Sequence, residues 1–363
     1  QRCSSGSMSI PRIDVAALVS ESPDSVAWQQ TAQQLCQACR DVGFFSVVQH
    51  GVPQDVLSGM MEASRAFFQL PQQRKMQLAR SSFQPGNRTS YRGYFPSSCN
   101  GKEGMDIGDP TLQEGSSPLL PLHEEMCWPS EEELPGWRNT MEDYYSRMLS
   151  LGRDLMRAVA FGLELGPPDF FDPYFPLDRS TPTMSTLRLN YYPEPSAQSL
   201  ETAIADPHDG TPLSCETHVD GSLFTILYQD SVGGLQVQEP TYFDPDGSEA
   251  NLTRAEPDAA NPNSPWMDVP CEEGALVVNI GVAMQRVSGF QFVATNHRVL
   301  FCQQERLSIP FFLEPIHSMP IPTREEGPLT AKAPADHFHT DYLQYIRSNN
   351  ARFKEYADAQ PPT

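Results

Sequence analysis

The chain has 363 residues, 39% of them hydrophobic, enough for one large β-rich domain with helical additions and a full core. Its formal net charge of -21 repels phosphate backbones and anionic lipid surfaces, which excludes nucleic-acid and membrane-surface binding as leading functions. No apolar run approaches a membrane span, and the eight Cys follow no secretory leader, so they read as reduced thiols of a cytoplasmic protein.

Residues 1–8, QRCSSGSM, read as a foreign leader before a natural start at Met8 or Ser9. Ile10–Asp14 is a short extended piece. The spacing of Ala32, Leu35, Cys36, Cys39 and Val42 predicts a helix over Val26–Val42, ended by Gly43. Cys36 and Cys39 form a CxxC, but no second Cys or His pair lies near it. The pair therefore reads as two small core residues on one helical face rather than a zinc or redox motif. Phe44–Val48 is β-rich, and His50-Gly51-Val52-Pro53 closes it. A second helix is predicted over Asp55–Gln69. Residues 80–135, rich in Ser, Gly, Pro and Asn, read as loops. A third helix is predicted over Asn139–Leu163.

From Met184 onward the pattern changes to short β-rich runs: Thr186–Tyr192, Leu223–Tyr228, Gly234–Gln238, Gly274–Ile280, His297–Cys302 and Ser308–Leu313. Such a series predicts a sandwich or barrel. Tyr342–Tyr356 closes the chain as a helix.

His218-Val219-Asp220 precedes one of these runs. In extended backbone, residues i and i+2 point the same way, so both side chains reach one ion. His297 begins another run. Two imidazoles and a carboxylate make a borderline donor set suited to Fe(II), and three ligands leave positions open for substrate or oxygen. By itself HxD is the ordinary mark of a surface His near an Asp; order and spacing give it weight. Nine residues after His297 comes Arg306-Leu307-Ser308. If His297 and Arg306 lie on neighbouring inner strands, Arg306 and Ser308 share an inward face, and a guanidinium fork with a hydroxyl suits a carboxylate. In Thr186–Tyr192, alternation puts Arg188, Asn190 and Tyr192 on one face, which either meets solvent or lines a polar cavity.

These pieces together resemble the isopenicillin N synthase-like family of iron oxygenases, which includes many 2-oxoglutarate-dependent dioxygenases. The matching segments are Ile10–Asp14, Val42–Phe45 with His50–Val52, Asn190–Pro193, His218-Val219-Asp220 with His297, and Arg306–Ser308. The resemblance implies a mainly β fold with flanking helices around a double-stranded β-helix (jelly-roll) core. It divides the chain into an N-terminal helical region over 9–100, a catalytic core over 101–320, and a C-terminal helix and tail over 321–363. It implies that His218, Asp220 and His297 hold Fe(II). It also implies that Arg306, Ser308 and Tyr192, with Asn190, hold 2-oxoglutarate. O2 is the second co-substrate.

The implied reaction couples decarboxylation of 2-oxoglutarate to hydroxylation, desaturation or ring closure of a small-molecule substrate. The chain is expected to act as a monomer. A 2-oxoglutarate-independent oxidase of the isopenicillin N synthase type, whose Arg–Ser pair takes a substrate carboxylate, is the rival within enzymes. A non-catalytic jelly-roll binding protein is the rival outside them. Arg188, and Arg92 from the N-terminal region, are candidates to meet a substrate carboxylate; pairing of Arg188 with a protein carboxylate is the alternative. Two departures stand out. Where the family has Asp after Asn-Ile-Gly, this chain has Val282 after Asn279-Ile280-Gly281. The stretch between Asp220 and His297 is long, with an insertion near 239–265 that reads as a loop or lid.

Overall fold

A computed structural model describes residues 9–97, 101–112, 123–177, 181–196, 203–240, 264–323, 326, 329–330 and 340–350. The helices are α1 (Ala16–Ser20), α2 (Val26–Asp41), α3 (Gln54–Phe68), α4 (Gln72–Gln77), α5 (Trp137–Gly162), α6 (Val282–Val287) and α7 (Tyr342–Asn350). The N-terminal strands are β1 (Arg12–Asp14), β2 (Phe44–Val48), β3 (Gly93–Phe95) and β4 (Glu103–Ile107). Then follow β5 (Thr186–Tyr192), β6 (Ile204–Ala205), β7 (Pro212–His218), β8 (Phe224–Gln229) and β9 (Leu235–Gln238). The last are β10 (Trp266–Asp268), β11 (Leu276–Ile280), β12 (His297–Leu300) and β13 (Arg306–Leu313).

The strands form two sheets. The larger has eight strands in the order β1-β2-β11-β8-β13-β5-β4-β3, and the smaller has five in the order β10-β9-β12-β7-β6. Phe44, Tyr192 and Val277 of the larger sheet pack with Leu235, Val237 and Val299 of the smaller, so the sheets face each other as a jelly roll.

Helices cover the outer face of the larger sheet. Leu187, Leu189, Leu307, Ile309, Phe311 and Leu313 point that way and join one core with the buried stripe of α5. Tyr145 meets Phe311 edge-on at 5.0 Å between centroids, and Gly152 lets Leu313 lie directly against α5. The other face of β5 and β13 points between the sheets and carries the polar residues. Both faces of these strands are therefore buried, and the polar alternation of β5 marks an interior rather than a solvent face.

The N-terminal region is more than helical packing: β1, β2 and β3 all join the larger sheet. Residues 80–135, read as loops, contain β3 and β4, too short and too mixed in composition to stand out along the chain. Cys36 and Cys39 lie buried on α2. Burial pushes both thiols up, Cys36 to about 12, as core packing implies. The predicted lid lies mostly outside the described residues. Its ends are joined, Glu239 N–H donating to Pro265 O at 2.8 Å beside the β9–β10 pair.

One topological expectation is corrected. The condition that His297 and Arg306 lie on neighbouring strands is not met, because β12 belongs to the smaller sheet and β13 to the larger. The chain crosses between sheets after Leu300, so the two residues come from opposed walls, not adjacent strands.

Candidate metal centre

His218 ends β7 and His297 begins β12, and the two are register partners. Antiparallel pairing sets their rings side by side, 4.2 Å apart between centroids. Asp220 follows in the connection to β8. Its Oδ1 lies 3.7 Å from Nε2 of each histidine. Among the described residues, these three form the one group of His, Cys, Asp or Glu with metal-ligand spacing, all ligand atoms lying within 4.8 Å of one another.

The far side of each group is held. His218 Nδ1 lies 2.8 Å from the Glu216 carbonyl, and His297 Nδ1 lies 3.1 Å from the Thr295 carbonyl. A carbonyl only accepts, so each Nδ1 carries a proton and each Nε2 is the atom left to face an ion. Asp220 Oδ2 accepts from Thr225 Oγ1 at 2.5 Å and from Asn279 Nδ2 at 2.8 Å, leaving Oδ1 turned to the histidines. The Asp220 carbonyl also accepts from Val282 N–H at 2.8 Å. Gly281 permits that approach: a Cβ there would stand 2.0 Å from the Ser222 carbonyl oxygen. Val282, which departs from the family pattern, thus meets Asp220 through its backbone N–H, and Asn279 supplies the side-chain donor.

Burial works against the His218 imidazolium, but Cys215, Asp220 and the Glu216 carbonyl outweigh it and lift the ring to about 9. Burial and the His218 charge hold His297 down at about 4. Burial raises Asp220, yet the two imidazoles and the bonds from Thr225 and Asn279 keep it below the usual carboxylate range. The group thus pairs the Asp220 carboxylate with one positive charge on His218, which a divalent cation replaces. Two imidazole nitrogens and one carboxylate oxygen, with their outer atoms fixed, fit Fe(II).

Facing the triad from the larger sheet, Arg306 and Ser308 are both buried on the inner side of β13. Arg306 pairs with Tyr192, and Ser308 pairs with Asn190 on β5 and Gln229 on β8. The Arg306 guanidinium lies 5.0 Å from the centre of the Tyr192 ring. Its Nε donates to the Gly233 carbonyl at 2.9 Å, offered by a glycine in the left-handed region at φ +80°. These four predicted residues therefore converge.

The two predicted substrate arginines do not join them. Arg188 Nε donates to Asp106 Oδ1 at 2.6 Å and its Nη2 to Oδ2 at 2.9 Å, and Arg80 donates to the same carboxylate. Burial pushes Asp106 up, but Arg188 and Arg80 outweigh it and hold the carboxyl well below its usual range. Arg92 donates to Thr186 Oγ1 at 2.5 Å and to the Met184 carbonyl at 3.2 Å, at the start of β5. The sequence reading missed Thr225, Asn279, Gln229 and Lys102. Thr225 and Gln229 were visible only as alternate residues of β8. Lys102, whose buried ammonium lies 3.8 Å from Cys215 Sγ and 5.9 Å from the Tyr192 ring centre, sits in a stretch read as loop.

A jelly roll with a two-histidine, one-carboxylate group between its sheets defines a non-haem iron oxygenase. Residues 10–131 match the family described as non-haem dioxygenase in morphine synthesis, N-terminal, and residues 183–315 match the 2OG-Fe(II) oxygenase superfamily. The chain is 32% identical to isopenicillin N synthase of Streptomyces clavuligerus, over 93% of this chain and 94% of that protein. It is 31% identical to isopenicillin N synthase of Penicillium chrysogenum, over 92% and 94%. Among solved structures it resembles a full-length Neurospora crassa protein crystallised in complex with alpha-KG, with a TM-score of 0.69 at 23% identity, covering 94% and 95% of the two chains. It also resembles JOX2 in complex with 2OG, Fe and JA, with a TM-score of 0.64 at 24% identity, covering 98% and 90%. The chain belongs to the isopenicillin N synthase-like family within the 2OG-Fe(II) oxygenase superfamily. In class it is a non-haem iron oxygenase of that superfamily, whose common cofactor is Fe(II) and whose common co-substrates are 2-oxoglutarate and O2. No helix among the described residues is long and apolar enough to cross a membrane.

Proposed function

We propose that this enzyme holds Fe(II) with His218, Asp220 and His297 and seats the distal carboxylate of 2-oxoglutarate on Arg306 and Ser308, with Tyr192 and Asn190 beside it. It uses them to oxidise a small organic molecule. The observation that carries this reading is Arg306 itself. It is a buried cation on the wall opposite the triad, and its Nη1 has no hydrogen-bond partner among the described residues. A buried donor in that state calls for an acceptor, and a carboxylate supplies one with a compensating charge.

When bound, the iron supplies a site at which O2 is reduced at the expense of the keto acid. The protein's part is positional. The Glu216 and Thr295 carbonyls fix the two imidazole tautomers. Thr225 and Asn279 keep Asp220 to one free oxygen. Phe44 packs edge-on against His297 at 5.2 Å and keeps water from its ring.

The experiment is an oxygen-uptake screen of small carboxylates and neutral compounds with Fe(II) and 2-oxoglutarate present, with succinate measured in every well. Succinate formed in step with oxygen uptake is the expected result. A second reading has its own support, because the named relatives above 30% identity are isopenicillin N synthases. In it the Arg306 seat takes a substrate carboxylate and no 2-oxoglutarate is consumed. Oxygen uptake on a substrate with no succinate selects it.

A further inference from the structure

Arg306 uses two of its three nitrogens within the protein: Nε donates to the Gly233 carbonyl and Nη2 to Gln229 Oε1, each at 2.9 Å. Its Nη1 is buried without a partner, and so is Nε2 of Gln229. A guanidinium can only donate, so Gln229 has to turn its amide oxygen towards Arg306, and the direction of its NH2 follows. Asn190 is under no such constraint. Its Oδ1 is also buried without a partner, but its amide is free to turn round.

Register places these groups in one row. Ser308 lies opposite Asn190 on one side and Gln229 on the other. Thr225 reaches Asp220 between the sheets, and alternation along β8 gives Gln229 the same face. The backbone beneath is tied: Asp230 Oδ2 accepts from Leu307 N–H at 2.6 Å, and Asp230 N–H donates to the Leu307 carbonyl at 3.2 Å. Two adjacent side chains thus offer buried donors with no acceptor among the described residues. One carboxylate satisfies both.

We propose that Gln229 is a binding and positioning residue of the carboxylate seat. Its Nε2 donates to one oxygen of the ligand carboxylate, while its Oε1 holds the guanidinium so that Arg306 Nη1 meets the other. This rests on the seat proposed above for 2-oxoglutarate. The neutrality of the side chain is part of the device. Glutamate at this position would pair with Arg306 and cancel the charge that draws a dianion, whereas glutamine holds the arginine and leaves its charge to the ligand.

The test titrates the Mn(II)-loaded protein, without O2, with 2-oxoglutarate and with 2-oxovalerate, which carries a methyl group in place of the distal carboxylate. Wild type should prefer 2-oxoglutarate by about 100-fold or more, Gln229→Met should cut that preference about tenfold, and Gln229→Glu should abolish it. Affinity for 2-oxovalerate should stay the same in all three, which general loosening of the fold would not allow. An unchanged preference in both variants overturns the proposal. If wild type itself binds the two keto acids equally, the 2-oxoglutarate reading falls. The amide is then judged with glutarate on the metal-free protein. Weaker binding by Gln229→Met upholds its role, and equal or absent binding overturns it.

Discussion

Asn279 Nδ2 donates to Asp220 Oδ2 at 2.8 Å, across the gap between β11 and the connection that carries the carboxylate. With Thr225 on the same oxygen, it decides which Asp220 oxygen faces the histidines. Asn279→Asp replaces that donor by a second carboxylate, and Asn279→Leu removes it. Metal affinity should fall by about 10–100-fold in either variant. Competition against a chelator measures it, and unchanged affinity in both would remove Asn279 from the site.

Iron binding should depend on all three ligands. His218→Ala, His297→Ala and Asp220→Ala should each abolish turnover, the last leaving at most a weak open site. Metal content and oxygen uptake of the purified variants check this. Full activity in either histidine variant would sink the assignment.

Arg306→Ala should weaken 2-oxoglutarate binding at least about tenfold, since charge-assisted hydrogen bonds are worth roughly 1.5–3 kcal/mol each. Ser308→Ala should be milder, because it removes one neutral hydroxyl and leaves the charge. Titration of the Mn(II)-loaded protein gives both numbers. An Arg306→Ala protein that binds 2-oxoglutarate like wild type would move the seat elsewhere.

Arg188→Met should act on stability before it acts on catalysis. Arg188 lies 5.2 Å from the Phe95 ring centre and 5.5 Å from that of Phe312, and it grips Asp106 with two bonds. Breaking a buried pair of this kind costs about 3–5 kcal/mol. Thermal unfolding should show that loss, and Asp106→Asn should show a similar one. A stable Arg188→Met protein with only a raised KM for its substrate would restore Arg188 as a substrate contact.

Glu314, at the end of β13, accepts from Thr186 Oγ1 at 3.2 Å and from the Tyr342 hydroxyl of α7 at 2.9 Å. Burial pushes its carboxyl up to about 7, and the nearby Arg92 and the two hydroxyls only partly offset this. A raised acid binds its proton more tightly when folded. Its contribution is therefore favourable below the ordinary carboxylate range and is lost as pH rises towards about 7. Glu314→Gln should remove this pH dependence, so its melting temperature should gain on wild type between pH 5 and 8. A constant difference across that range would show that the buried carboxyl does not titrate there.

The chemistry of the site was legible along the chain because it lies in local pattern. His218 and Asp220 stand two apart, Arg306 and Ser308 share one face of a strand, and Asn190 and Tyr192 share another; alternation alone sets these relations. The short β-rich runs likewise pointed to a sandwich or barrel, and the helices outside it were implied by the family resemblance. Only the tertiary structure decided which wall each residue stands on. His297 and Arg306 are nine residues apart, yet they belong to different sheets, because the crossover between β12 and β13 has no marker in residue type. The fate of the arginines was equally nonlocal. Arg188 meets Asp106 through the pairing of β5 with β4, 82 residues apart in the chain and partly within a stretch read as loop. A buried cation takes whichever anion folding brings to it, and side-chain spacing along one strand cannot say whether that anion is protein or ligand. The same limit hid Gln229 and Asn279, ordinary amides until strand register sets one against Arg306 and the other against Asp220.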